Sequence, residues 1–140
     1  MNPTSPLPPG VAAQTVLQQG LAHHHLNQLG EARACYERVL AQVPDHFDAH
    51  YLLATALMQE GDVRGALRRF DSAVALRDNH PLAHGNRGAL FFALGRYAEA
   101  MQAYDRAIEL KPDYAAAFYR RGVTLEKLGD EEGALRNHMR

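Results

Sequence analysis

Residues 34 positions apart in this chain are alike, and they stay alike along most of its 140 residues. A repeat of that length narrows the fold sharply. Each unit is one small element that cannot bury its apolar face alone and must lean on the next. One column of equivalent positions reads Gly20, Ala54, Gly88, Gly122. A second reads Ala32, Ala66, Ala100, Ala134, and a third Tyr36, Phe70, Tyr104, His138. Further columns read Val39, Ala73, Ala107; then Asn27, Gly61, Gly95, Gly129; then Pro44, Asp78, Pro112; then Asp45, Asn79, Asp113.

Each column has a physical reason. Gly and Ala mark places where two helices approach too closely for a larger side chain. The aromatic column fills the gap between neighbouring pairs. Gly61, Gly95 and Gly129 break the chain inside each unit, so each unit is predicted to hold two helices. Proline ends the second helix, because it lacks a backbone donor and restricts the residue before it. The Asp/Asn column that follows is placed to cap the next helix through a side-chain oxygen. From Ala98 to Leu110, apolar residues fall at Ala100, Met101, Tyr104, Ala107 and Ile108, a helical stripe. No stretch alternates with period two, so no strand is expected. The repeats divide as 13–46, 47–80, 81–114 and a partial 115–140, behind a proline-rich, disordered leader over residues 1–12.

Composition excludes several classes of function. The net charge of −1 argues against nucleic-acid binding, which needs a surplus of Lys and Arg. A single cysteine, Cys35, excludes an internal disulfide framework and a cysteine zinc site, and is read as a small buried hydrophobe. No run of eighteen apolar residues or secretory signal is present, so a cytoplasmic location away from membranes is the expectation. Phosphate-cradling loops, Gly-x-Ser-x-Gly elbows and His-Glu-x-x-His motifs are missing, so no catalytic residue and no cofactor is expected. Among the eight histidines, His46/His50 and His80/His84 have the i, i+4 spacing that can bridge zinc or nickel. No carboxylate or cysteine completes a shell, so metal binding is not expected.

With its small, aromatic and proline columns, the 34-residue helix–turn–helix unit resembles the tetratricopeptide repeat over residues 13–140. The stretch GNRGALFFALGRYAEAMQAYDRAIELKPD fits best. The resemblance implies an all-α, right-handed superhelical solenoid of antiparallel helix pairs, non-catalytic, with the first helix of each pair lining a concave groove. Its implied function is a protein–protein interaction scaffold holding an extended peptide or partner protein. In that register the groove offers Tyr51, Thr55, Met58, Asn86, Phe92, Tyr119, Arg120 and Lys127. Tyr51, Met58, Phe92 and Tyr119 would supply contact surface. Asn86 would hydrogen-bond a peptide backbone and Arg120 would grip a carboxylate. Against that stands simple packing of Tyr51 and Tyr119 between repeats. Of the five polar positions with which some family members clamp chaperone tails, only Asn86 and Arg120 remain, the others being Tyr51, Thr55 and Ala116. Chaperone tails are therefore not the expected ligand.

An alternative is the substrate-recognition arm of a larger glycosyltransferase or sulfotransferase, whose repeats this arrangement resembles. At the C-terminal end, Leu125, Leu128, Ala134 and Leu135 are left with little to pack on. Truncation of a longer chain or self-association into a homo-oligomer is favoured there over a frayed end.

Overall fold

A computed structural model of the chain describes residues 9–138, and the side chains of residues 12–132. The described residues form seven helices and no strand. They are α1 (Pro9–His25), α2 (Leu29–Gln42), α3 (Phe47–Glu60), α4 (Val63–Leu76), α5 (Pro81–Ala93), α6 (Tyr97–Leu110) and α7 (Ala115–His138). The fold is an all-α array of helix pairs, and the starts of α3, α5 and α7 are spaced by the 34-residue period. Two compact units divide after Leu76, the first built from α1–α4 and the second from α5–α7.

The turn inside each pair is the same device three times. Asn27, Gly61 and Gly95 are left-handed, with φ of 59°, 86° and 73°. Glycine and asparagine reach that region at the least cost. Just beyond, the N–H groups of Gln28, Asp62 and Arg96 bond the carbonyls of His23, Leu57 and Phe91, each at 2.9 Å. This 6→1 bond satisfies a carbonyl that the helix end would otherwise leave open. Between pairs, Val43 and Lys111 precede proline and are extended, with φ of −130° and −137°. Steric conflict with the proline ring enforces that conformation.

Packing follows the columns. In the first unit Tyr36, Val39, Leu53, Phe70 and Ala73 are fully enclosed; in the second, Ala83, Ala100, Tyr104, Ala107 and Thr124. A Cβ built on Gly20 would lie 2.6 Å from Tyr36 Cε1, and one on Gly88 2.5 Å from Tyr104 Cε1. The glycines are therefore the seats of the tyrosine rings. Cys35 is buried beside Gly20, the packing role expected of it.

Three expectations need correction. First, α1 starts at Pro9, so residues 9–12 belong to the helix rather than to a disordered leader. Proline suits a first helical turn, where its missing N–H costs nothing. Residues 1–8 of the expected leader lie outside the described residues. Second, Gly129 does not break the chain, because α7 runs unbroken from Ala115 to His138. A glycine costs a helix only about 1 kcal/mol relative to alanine, so it permits a break without forcing one. Third, the caps sit one residue later than expected. His46 and His80, not Asp45 and Asn79, start α3 and α5, their Nδ1 atoms accepting from the N–H of Ala49 and Ala83 at 3.1 and 3.2 Å.

The second histidine of each pair completes the motif. Nε2–H of His50 donates to the Pro44 carbonyl at 2.7 Å, and that of His84 to the Asp78 carbonyl at 2.8 Å. One histidine thus caps the helix while the other ties down the preceding turn. Each pair is committed to its own backbone rather than arranged to chelate. His80→Ala is expected to destabilise the second unit by about 1 kcal/mol, the usual value of a lost cap, as read by urea denaturation.

Burial lowers the His84 pKa from its ordinary value of 6.5. Arg87 and Arg106 push the same way, while the bond to Asp78 and the charge of Asp78 oppose them. The unfolded chain therefore takes up this proton before the folded one. The corresponding stability is fully present above pH 6.5 and is lost as pH falls through the lower folded value. His84→Phe is expected to flatten this acid limb relative to the parent in pH-dependent denaturation.

Candidate binding cleft

In the second unit, α5 and α7 bring their facing side chains together over the hydroxyl of an α6 tyrosine. Ala89, Phe92, Tyr104, Tyr119, Arg120 and Val123 line a cleft of about 290 Å³. Phe92 is half-buried and held at 5.3 Å from the Tyr97 ring. Tyr119 is 75% exposed, so its ring is available at the rim. Arg120 lies beside the Tyr104 hydroxyl, with its side chain at the exposed mouth. Burial raises the Tyr104 pKa and Arg120 draws it back, leaving a neutral phenol beside a cation. The result is an apolar floor with one positive charge at its mouth, which suits an apolar side chain next to a carboxylate.

Of the eight residues expected to form a groove, the structure gathers Phe92, Tyr119 and Arg120 into this cleft. Asn86 is half-buried on α5 and Lys127 is exposed on α7, but neither lines it. Tyr51, Thr55 and Met58 belong to the first unit, and all three are half-buried on α3. Tyr51 stacks on Phe47 at 6.2 Å and meets the Phe70 ring edge-on at 5.8 Å, so packing claims most of its face. The Thr55 hydroxyl donates to the Leu52 carbonyl at 2.7 Å.

The first unit has its own buried tyrosine hydroxyl. Burial pushes the Tyr36 pKa up to about 12, so the hydroxyl stays a donor. It bonds His24 Nδ1 at 2.9 Å, and His24 Nε2–H donates to Gln59 Oε1 at 2.6 Å. Three helices are joined by this relay, and His24 also lines a small hollow with Leu21 and His25. Tyr104 and Tyr36 stand outside the groove expected from the sequence, where their column serves only as filler between pairs. The signal was there: a buried tyrosine, unlike the equivalent Phe70, needs a partner for its hydroxyl.

Helix pairs of fixed length, turned by left-handed residues and seated aromatic-on-glycine, define a helical repeat protein with a cleft between α5 and α7. Sequence profiles agree. The profile of the TPR repeat matches residues 88–129, and that of the tetratricopeptide repeat matches residues 24–90. The chain belongs to the tetratricopeptide repeat family.

Among curated proteins, it is 32% identical over 85 residues to the lipoprotein NlpI homolog of Haemophilus influenzae, covering 61% of this chain and 27% of that one. It is 28% identical over 89 residues to the tetratricopeptide repeat-containing protein trd-1 of Caenorhabditis elegans, covering 64% of this chain and 12% of that one. The chain thus spans about a quarter or less of the curated relatives it matches. Among solved structures, the first TPR of Spaghetti (RPAP3), bound to the HSP90 peptide SRMEEVD, superposes with a TM-score of 0.81 at 25% identity. That match covers 84% of this chain and 94% of the other. No helix among the described residues is long and apolar enough to cross a membrane.

Proposed function

We propose that the chain is a non-catalytic protein-interaction scaffold, and that its second unit takes an extended peptide with an apolar side chain beside a carboxylate. The observation that carries this reading is the convergence of Phe92, Tyr119 and Arg120 over the Tyr104 hydroxyl. An aromatic wall supplies apolar contact at little cost in side-chain entropy, and the guanidinium at one edge can pair with a carboxylate through two parallel bonds. Peptide capture by the related RPAP3 repeat supports the class of ligand. Asn86 and Arg120 are the two polar clamp positions kept here, so the preferred peptide is less acidic than a chaperone tail.

The test is calorimetry with short peptides ending in an apolar residue and a free carboxylate, each compared with its C-terminal amide. The acids are expected to bind and the amides to bind weakly. Arg120→Ala should weaken the acids roughly 10- to 100-fold, toward the level of the amides, as loss of one charge-assisted contact would. Equal binding of acid and amide, or an Arg120→Ala variant that binds like the parent, overturns the assignment. A recognition arm of a larger enzyme would use the same cleft, and only turnover of the bound peptide by a longer protein would separate that reading from a free-standing scaffold.

A further inference from the structure

We propose that α7 is an exchange helix. Two copies of the chain pair through it antiparallel, each covering with its residues 130–138 the face that the other leaves bare around Phe118, Gly122 and Leu125.

The bare face emerges from a comparison of equivalent positions. In the third repeat His84, Gly88 and Phe91 are all buried. Their equivalents 34 residues on are Phe118, 49% exposed, Gly122, exposed, and Leu125, 46% exposed. The other side of α7 is used normally. Ala117 and Thr124 are buried like Ala83 and Leu90, and Arg121 Nε–H donates to Asp105 at 2.6 Å. So α7 is seated on α6 as a first helix should be, but among the described residues no second helix lies against it. A Cβ on Gly122 would meet nothing within 4 Å, whereas Gly20 and Gly88 are filled by tyrosine rings.

Residues 130–138 carry the pattern of the missing cover. Ala134 falls in the column of Ala32, Ala66 and Ala100, every one of them fully buried. His138 stands sixteen residues after Gly122, as Tyr36 stands after Gly20 and Tyr104 after Gly88. In the earlier repeats the second helix reaches its seat by reversing at a left-handed residue. Gly129 remains helical, so the segment continues along the axis of α7 and cannot reach its own seat. Opening an antiparallel hairpin at its turn leaves its pairing register intact for a second molecule. The two-fold axis then passes near Gly129 and Asp130, where a glycine lets two helices approach closely. The contact is self-complementary and closed, as symmetric dimers require.

Gly122 supplies the discriminating variant, because its seat is empty within one chain and filled only in the pair. Light scattering of the 140-residue chain across the micromolar range should give a mass rising to twice that of one chain. Gly122→Gln should leave helicity unchanged by circular dichroism yet weaken the dimer at least about 10-fold, the usual result of overfilling a packed contact. Deletion of residues 131–140 should leave a helical monomer, and serves if the glutamine variant fails to fold. A mixture of Leu125→Cys chains with Leu135→Cys chains should give a disulfide-linked heterodimer. The proposal is overturned by a monomeric parent at all concentrations, by a dimer indifferent to both changes, or by a monomer whose Leu125→Cys/Leu135→Cys form closes its disulfide within one chain.

Discussion

Tyr104→Ala is expected to lower the stability of the second unit by roughly 3–5 kcal/mol, the range for truncating a large aromatic in a core that cannot collapse around the loss. The ring is 1% exposed and fills the seat made by Gly88. It is also the base of the cleft beneath Phe92 and Arg120. Two readouts should therefore move together: urea denaturation followed by helicity, and peptide affinity. Tyr104→Phe separates them. It keeps the ring and loses only a hydroxyl that lies beside Arg120, so its stability cost should be at most about 1 kcal/mol. An alanine variant as stable as the parent would mean that the seat is not a packed contact.

The second large effect comes as a pair of opposite signs within one column. Gly88→Ala should destabilise by about 1–3 kcal/mol, because its methyl group meets three atoms of the enclosed Tyr104 ring between 2.5 and 2.9 Å. Gly122→Ala, whose methyl group meets nothing within one chain, should stabilise the monomer by about 0.5–1 kcal/mol through helix propensity, read at concentrations too low for chains to pair. Thermal denaturation of the two variants beside the parent decides the matter. At the equivalent position of the second repeat stands Ala54, fully buried, and the aromatic sixteen residues on is Phe70 rather than a tyrosine.

The turns were legible in the sequence because a left-handed backbone admits few residues, and Asn27, Gly61 and Gly95 stand 34 apart. The same rule failed at Gly129. A glycine there is necessary for reversal but insufficient, since reversal also depends on the gain from folding back. The capping role of His46 and His80 was hidden for a different reason. The preceding Asp45 and Asn79 are the better caps by intrinsic preference, and only the geometry of the turn moved the cap by one residue. Phe92, Tyr119 and Arg120 were legible as neighbours because helical register places them on one side of α5 and α7. Tyr104 was not, since its ring belongs to the packing and its hydroxyl to the cleft, and a column of aromatics shows only the first. Thr55 spends its hydroxyl on its own helix, which no spacing rule reveals.

The three identical turns also decide which changes of length the chain can absorb. Each closes on carbonyls of its own helix, so a whole pair added or removed leaves every other turn as it was. A single residue inserted within α4 or α6 would instead swing the following side chains by about 100° around the axis and carry Phe70 or Tyr104 away from its seat. Growth by full periods is therefore nearly free for such an architecture, while growth by one residue is among the most damaging events it can meet.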